Sequence, residues 1–305
     1  ETLLDPLRGL VAADLTEPGK VGHMSSGHYH HGESAGHLLA HLDATLATAE
    51  GQGSLAWARA ESNQEKGVAS NADWKKLLEG AIATQRLRLI EFPVTSNSGQ
   101  MLHLECPLRL QATENGEWLT AGSFMPMASR LAMTSDLDLA AARLALDRIA
   151  AGTPAVAVNL SGESIFDVTF RNRLQTLITN RKDLAPRLWL EVSEVGAFQH
   201  FEEFRAFCNV LRPLGCRLGI EHFGRQFSEI GRLHDIGLDY IKVDGSFIRD
   251  IDKQPGNQAF VKGLCGIAHN IGLTVIAEGV QSAEELAALP ELGFDGATGP
   301  AVPRK

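Results

Sequence analysis

The sequence predicts an α/β fold, a barrel of alternating strands and helices preceded by a small α+β unit. Eight apolar runs occur between residues 87 and 300: Leu87–Phe92, Met101–Leu108, Ala155–Leu160, Arg187–Val192, Arg217–Phe223, Tyr240–Asp244, Leu273–Gly279 and Phe294–Pro300. Amphipathic segments separate them at a spacing of roughly 25–35 residues, the pattern of a largely parallel sheet closed into a barrel. Polar groups interrupt the runs near their ends: Glu105, Asn159, Glu191, Glu221, Lys242 with Asp244, and Glu278. A buried parallel strand should read as continuous Val, Ile and Leu. An unpaired buried carboxylate is costly, so a recurring interruption needs a reason. The C-terminal ends of barrel strands meet at one face, which makes that face an acidic, metal-capable mouth.

In chain order, Leu3, Leu4, Leu7, Leu10 and Val11 form a helical stripe, and Val21–Tyr29 reads as a strand. Ser34 caps a second helix through Leu38, Leu39, Leu42 and Leu46, ending near Gly51 and Gly53. Ser54–Ala60 is a further short strand. The resulting division is a small unit at 1–62, a linker and lead-in helix at 63–85 with its helix over Asn71–Gln85, and the barrel at 86–305. Within the barrel, helices are expected at Leu137–Ala150, Ser164–Asn180, His200–Leu211, Ser228–Leu233, Asn257–Asn270 and Ala283–Glu291.

The chain has 28 basic and 37 acidic residues, a net charge of −9, which argues against binding a nucleic-acid polymer through a broad basic face. Cys106, Cys208, Cys216 and Cys265 show no metal or disulfide spacing, so a reducing cytoplasm is the expected setting. No apolar stretch approaches the roughly 18 residues of a membrane span. The chain starts inside a helical pattern, which predicts a fragment of a longer protein. His23, His28, His30, His31, His37 and His41 cluster without accompanying cysteines or carboxylates and read as a solvated loop rather than a zinc site.

Glu105, Asn159, Glu191 and Glu221 are hard oxygen donors on four strands, a set suited to Mg²⁺, Mn²⁺ or Ca²⁺. Asp244 and Glu278 can hold a second ion or activate a water. Two such ions can clamp the attacking and leaving oxygens of a phosphodiester. Lys242 between Ile241 and Val243 raises a rival chemistry, a Schiff base with a carbonyl substrate. Its acidic neighbours oppose that, because they hold the ammonium charged.

These residues resemble the EAL-domain family, the barrel phosphodiesterases that linearise cyclic di-GMP. The signature stands here as Glu105-Cys106-Pro107-Leu108-Arg109, followed by Asn159-Leu160-Ser161, Glu191-Val192-Ser193-Glu194, Ile241-Lys242-Val243-Asp244-Gly245-Ser246-Phe247 and Ala277-Glu278-Gly279-Val280. The resemblance covers residues 73–305 and implies a modified (β/α)8 barrel with an antiparallel first strand. It also implies metal ligation by the glutamates and the asparagine, with Lys242 and Glu278 as the catalytic pair if the site is active. Residues 32–51 are similar to the late helix of a GGDEF domain, although the Gly-Gly-Asp-Glu-Phe motif is absent, so cyclase activity is not expected. A degenerate GGDEF–EAL tandem is similar to the LapD and FimX classes of cyclic di-GMP receptors. That likeness implies a cytoplasmic region of a parent anchored in a bacterial inner membrane. It also makes Asn71–Gln85 a helix able to occlude the site.

Departures from the family pattern bear on activity. Its Asp-Asp-Phe-Gly is here Glu221-His222-Phe223-Gly224, its early Gln-Pro is Phe92-Pro93, and its late Gln-Gly-Tyr is Thr298-Gly299-Pro300. Losing charge at a two-metal centre removes both nucleophile activation and charge stabilisation. Binding needs less: Arg109 can pair with a phosphate, Leu108 can support a base, and Glu278 or Asp244 can accept from guanine. The expected function is therefore a catalytically impaired cyclic di-GMP receptor. Its expected ligand-binding residues are Glu105, Leu108, Arg109, Asn159, Glu191, Glu221, Phe223, Asp244 and Glu278, with Phe92 and Pro300. Binding would require no cofactor. Mg²⁺ or Mn²⁺, on Glu105, Asn159, Glu191, Glu221 and Asp244, would serve residual hydrolysis alone. Two alternatives stand beside it: a slow phosphodiesterase, and a nucleotide-free interaction module, for which apolar Phe92 and Pro300 are suited. Output would pass to a protein partner or through self-association of the barrel.

Overall fold

The computed structural model of the chain describes residues 24–27, 42, 45–46, 57–59 and 70–303. Two compact units divide it, Glu1–Arg86 with Leu110–Met133, and Leu87–Arg109 with Thr134–Lys305. Residues 110–133 thus group with the N-terminal unit.

In the first unit, β1 (Met24–Ser26) pairs in parallel with β2 (Trp57–Arg59), inside the two strands expected there. Leu42, Thr45 and Leu46 are helical. The Leu3–Val11 stripe and the histidine-rich segment lie outside the described residues. The lead-in helix runs Asn71–Ala83 and starts at a capping box. The Ser70 hydroxyl accepts from the Asp73 backbone N–H at 3.2 Å, and the Asp73 carboxylate accepts from Ser70 N–H at 3.0 Å. Leu78 and Ala81, three apart, form its buried face. A helix at Ala121–Arg130 went unread in the sequence, because Gly122 and Pro126 break its pattern.

In the second unit, eight strands close a barrel in the order β10-β11-β12-β13-β4-β5-β8-β9. They are β4 (Phe92–Ser96), β5 (Met101–Glu105), β8 (Val156–Leu160), β9 (Leu188–Ser193), β10 (Arg217–Phe223), β11 (Tyr240–Val243), β12 (Thr274–Ala277) and β13 (Gly296–Thr298). Every pairing is parallel except those of β4, which runs antiparallel to both β13 and β5. Seven of the eight apolar runs hold barrel strands. The first does not: Leu87–Leu89 forms β3, outside the barrel, and the barrel opens instead on Phe92–Ser96. The remaining strands, β6 (Leu108–Gln111) and β7 (Trp118–Thr120), also lie outside the barrel.

Helices cover the barrel through apolar stripes. Phe201–Leu211 buries Phe204, Phe207, Cys208 and Leu211, positions three and four apart. Burial of each such Phe or Leu contributes about 1.5–3 kcal/mol. The helix expected over Ser164–Asn180 breaks at Asp167 into Gly162–Phe166 and Val168–Thr179, because the Asp167 carboxylate caps the second piece by accepting from Thr169 N–H at 2.8 Å. The segment expected at Ser228–Leu233 is a 3₁₀ stretch over Phe227–Leu233. The other three helices begin at Thr134, Pro255 and Ala283, and Gly293 ends the last of them at φ 95°.

Side chains alternate across each strand, so residues two apart share the barrel interior. Four strands place such pairs there: His103 and Glu105 on β5, Trp189 and Glu191 on β9, Gly219 and Glu221 on β10, and Tyr240 and Lys242 on β11. The lower layer is aromatic. The His103 ring lies 4.1 Å from Trp189, and Trp189 lies 4.8 Å from Tyr240, centroid to centroid. Gly219 makes room for this layer, since a Cβ there would sit 2.3 Å from the Tyr240 ring. The charged residues form the layer above, toward the C-terminal mouth.

All four cysteines are reduced and buried, and burial pushes the thiols of Cys106, Cys216 and Cys265 up to about 12. Among the described residues no helix is long and apolar enough to cross a membrane.

Candidate functional site

Lys242 is fully buried at the centre of the mouth. Its Nζ donates to Glu191 at 2.8 Å and Glu105 at 3.0 Å, and lies 3.6 Å from Glu278. Burial alone would strip its proton, but Glu191, Glu105 and Glu278 outweigh that and hold its pKa well above the ordinary lysine value. A permanently charged ammonium is no amine nucleophile, which closes the Schiff-base route. Glu191 is the reciprocal case. Burial would raise its pKa, yet the Lys242 ammonium holds it low. Its other oxygen accepts from the Tyr240 hydroxyl at 2.9 Å, so both oxygens are engaged from inside the barrel.

Glu221 differs. Burial, with Glu191 and Glu278 nearby, pushes its carboxyl up to about 8, and its oxygen accepts from the Asn159 amide at 2.7 Å. The next residue, His222, adopts φ 54°, the left-handed region that non-glycine residues rarely enter. That turn lets its backbone N–H donate to Glu278 at 3.3 Å, while its Nδ1 lies 2.9 Å from Glu278 and 3.5 Å from Asp244. The bond to Glu278 pushes the imidazole up to about 9, against the opposing effect of burial, so at neutral pH His222 is a cation. Backbone strain of this kind marks a place where side-chain aim outweighs local stability.

The loop after β10 is fixed from the first residue of the short helix Glu194–Gln199, which follows β9. Buried Glu194 accepts from three successive backbone donors, Gly224 at 2.8 Å, Arg225 at 3.2 Å and Gln226 at 2.9 Å. Asp244 caps the short helix Gly245–Ile248 by accepting from Ser246 N–H at 2.8 Å, and bonds to Ser246 outweigh burial to keep its carboxyl low.

Above the charged layer lies a cavity of about 790 Å³, lined by residues that include Phe92, Glu105, His222, Asp244, Arg249, Glu278 and Pro300. Five of the expected ligand residues thus share one cavity: Phe92, Glu105, Asp244, Glu278 and Pro300. Asn159, Glu191 and Glu221 lie in the network beneath, and Phe223 is buried in the core. Leu108 and Arg109 do not line the cavity. They lie on β6, off the barrel, where the guanidinium donates to the Leu108 carbonyl at 3.0 Å. Arg249 on the cavity wall, His103 and Tyr240 in the floor, and Glu194 beneath the loop add to the expected site residues. The period-two spacing of His103 from Glu105 and of Tyr240 from Lys242 carried the signal for the floor.

A divalent cation fits part of this arrangement. His222, Asp244 and Glu278 offer donor atoms all within 4.8 Å of one another, the one such His, Cys or carboxylate group among the described residues. A nitrogen in the set favours Mn²⁺ over Mg²⁺, which demands octahedral oxygen. Binding there must displace the proton that ties His222 to Glu278. The expected oxygen set is less available, because Glu191 gives both oxygens to Tyr240 and Lys242.

The EAL-domain family pattern matches residues 76–304. Cyclic di-GMP phosphodiesterase PdeF of Escherichia coli is 30% identical over 223 residues, covering 72% of this chain and 30% of PdeF. The chain spans less than half the length of the curated relatives it matches, 30%, 42% and 41% for three of them. Among solved structures, the S helix–GGDEF–EAL region of Vibrio cholerae LapD bound to c-di-GMP superposes with a TM-score of 0.79 at 24% identity, over 89% of this chain and 67% of that one. The FimX EAL domain of Pseudomonas aeruginosa bound to c-di-GMP gives 0.69 at 26% identity, over 74% and 93%. With its closed barrel, antiparallel first strand and matched sequence, the chain belongs to the EAL-domain family.

Proposed function

We propose that the chain binds cyclic di-GMP in the cavity at the mouth of its barrel and acts as a receptor, with hydrolysis impaired. The observation that carries this reading is His222. Its imidazolium stands between Glu278 and Asp244, so a fixed organic cation neutralises carboxylates that a metal-dependent site needs free. Glu105 and Glu191 pair with Lys242 in the same way. A site whose acids are already compensated can hold an intact nucleotide without recruiting a metal. Both c-di-GMP-bound neighbours share this barrel, which supports the ligand. The reading extends to a degenerate GGDEF-like unit before the barrel, supported by a likeness to the LapD tandem over 89% of the chain. Output then passes to a protein partner or through self-association, from the cytoplasmic side of a membrane-anchored parent.

Calorimetry with cyclic di-GMP in EDTA tests the reading. Saturable binding of intact nucleotide is expected, and binding that needs added metal would overturn it. The His222–Asp244–Glu278 group favours a second reading, a slow Mn²⁺-dependent phosphodiesterase. A bound Mn²⁺ would supply a Lewis acid and a more acidic water. Of the chain's own groups, Lys242 would hold Glu105 and Glu278 in place, and Glu194 would fix the loop carrying His222. Linear dinucleotide formed with Mn²⁺ and absent in EDTA identifies that case.

A further inference from the structure

We infer that Asp138, a carboxylate buried behind the barrel wall, is a positioning residue of the mouth that acts through Ser161 on Asn159; this rests on the cyclic di-GMP reading. Asp138 lies on the helix Thr134–Ala150, which packs against β8, and is 4% exposed. Among the described residues no cation pairs with it. Its Oδ2 accepts from the Ser161 backbone N–H at 2.8 Å and from the Ser161 hydroxyl at 2.6 Å. The Ser164 hydroxyl lies 2.8 Å from that of Ser161. Burial pushes the Asp138 carboxyl up to about 6; bonds from both serines oppose that, and nearby Glu163 adds to it. A buried carboxylate without a countercharge is costly, so its grip on a single turn needs a reason.

That turn leaves the site directly. β8 ends at Leu160, one residue after Asn159, and Ser161 stands at the N-cap of the helix Gly162–Phe166. Its hydroxyl does not cap that helix but goes to Asp138. The other side of the turn is equally confined, since a Cβ on Gly162 would sit 3.0 Å from the Gly196 Cα. Held by Asp138 on one side and Gly196 on the other, the turn fixes Asn159 two residues earlier. Asn159 is exposed, and its amide nitrogen donates to Glu221 at 2.7 Å. This bond spans β9, which lies between β8 and β10, so a shift of the Ser161 turn stretches or breaks it. A polar pair ordered before the ligand arrives spares the cost of ordering it on binding. Asp138 thus supports the mouth from the far side of the strand, without touching the nucleotide.

The test is calorimetric titration with cyclic di-GMP in EDTA of the parent chain, Asp138→Ala, Asp138→Asn, Asn159→Ala and the double variant Asp138→Ala/Asn159→Ala. Asp138→Ala should weaken binding about fivefold or more, because it strands both donors of the turn. Asp138→Asn keeps an oxygen in place for those donors and should recover most of the affinity. In the Asn159→Ala background Asp138→Ala should cost nothing further, because residues acting in series do not add. A loss that persists in full in that background, or parent-like affinity in Asp138→Ala, overturns the positioning role. Ser161→Ala, alone and with Asn159→Ala, applies the same criteria if Asp138→Ala does not fold. Without ligand, the side-chain amide resonance of Asn159 should move in Asp138→Ala and return toward the parent in Asp138→Asn. An unmoved resonance overturns the positioning role whatever the nucleotide does. Absence of binding by the parent chain overturns the cyclic di-GMP reading and the ligand role of Asp138 with it, while a moved resonance would still establish the link to Asn159.

Discussion

Lys242 and Glu191 form a salt bridge of 2.8 Å between two fully buried side chains, and the network at the barrel mouth is organised around it. Removing one partner of such a pair strands the other charge in a low dielectric, which costs about 3–5 kcal/mol, whereas replacing both with apolar groups costs far less. Lys242→Met should therefore destabilise the chain by about that amount in urea unfolding. The double variant Lys242→Met/Glu191→Leu should be more stable than the single one. A double variant less stable than Lys242→Met would show that the pair does not compensate itself.

The floor beneath that pair acts on Glu191 through one hydroxyl. Tyr240→Phe keeps the ring packed at a tilt against Trp189 and deletes the bond to Glu191, leaving one buried oxygen unsatisfied at a cost of about 1–3 kcal/mol. His103 does not replace it, because its Nε2 lies 3.7 Å from Glu191 and burial holds the ring neutral. Equal stability of Tyr240→Phe and the parent would contradict this.

Protonation of the mouth gives stability a pH dependence of definite sign. His222 rises from 6.5 to about 9 in the folded chain, so its contribution is complete below 6.5 and is lost as pH rises through about 9. Glu221 rises from 4.5 to about 8, so its contribution is complete below 4.5 and is lost as pH rises through about 8. Both act in the same direction, and the melting temperature should fall between neutrality and about pH 9. His222→Asn, which tolerates the left-handed backbone, should show a shallower fall. A flat profile in the parent would contradict the assignment.

Glu194 holds the loop after β10 by three backbone N–H groups, and Glu194→Ala leaves all three without that partner. Amide exchange at Gly224, Arg225 and Gln226 should accelerate selectively, with the barrel strands unchanged. Retained protection at those amides would show that the loop is fixed by something else.

Most of the barrel was legible because its strands are short apolar runs closed by polar residues, and burial of Glu191, Glu221 and Lys242 follows from that pattern. The first strand was misread for a physical reason. Phe92–Ser96 contains Pro93 and ends in Thr95 and Ser96, so it lacks the apolar continuity of a parallel strand. It pairs antiparallel on both sides, while the apolar Leu87–Leu89 just before it lies off the barrel. Glutamates at strand ends declared the site, but the partners that set their protonation did not. Tyr240 and His103 read as core residues, and nothing in the sequence gives the left-handed turn that aims His222 at Glu278. Arg249 was equally silent, since its place on the cavity depends on how the chain turns after Asp244.

Equilibrium dialysis of the chain against cyclic di-GMP with Mn²⁺, followed by identification of the nucleotide on both sides, tests the receptor reading most directly. Intact cyclic di-GMP concentrated on the protein side is the predicted result. Linear dinucleotide on both sides would contradict it and establish the phosphodiesterase, and equal intact nucleotide on both sides would contradict binding itself.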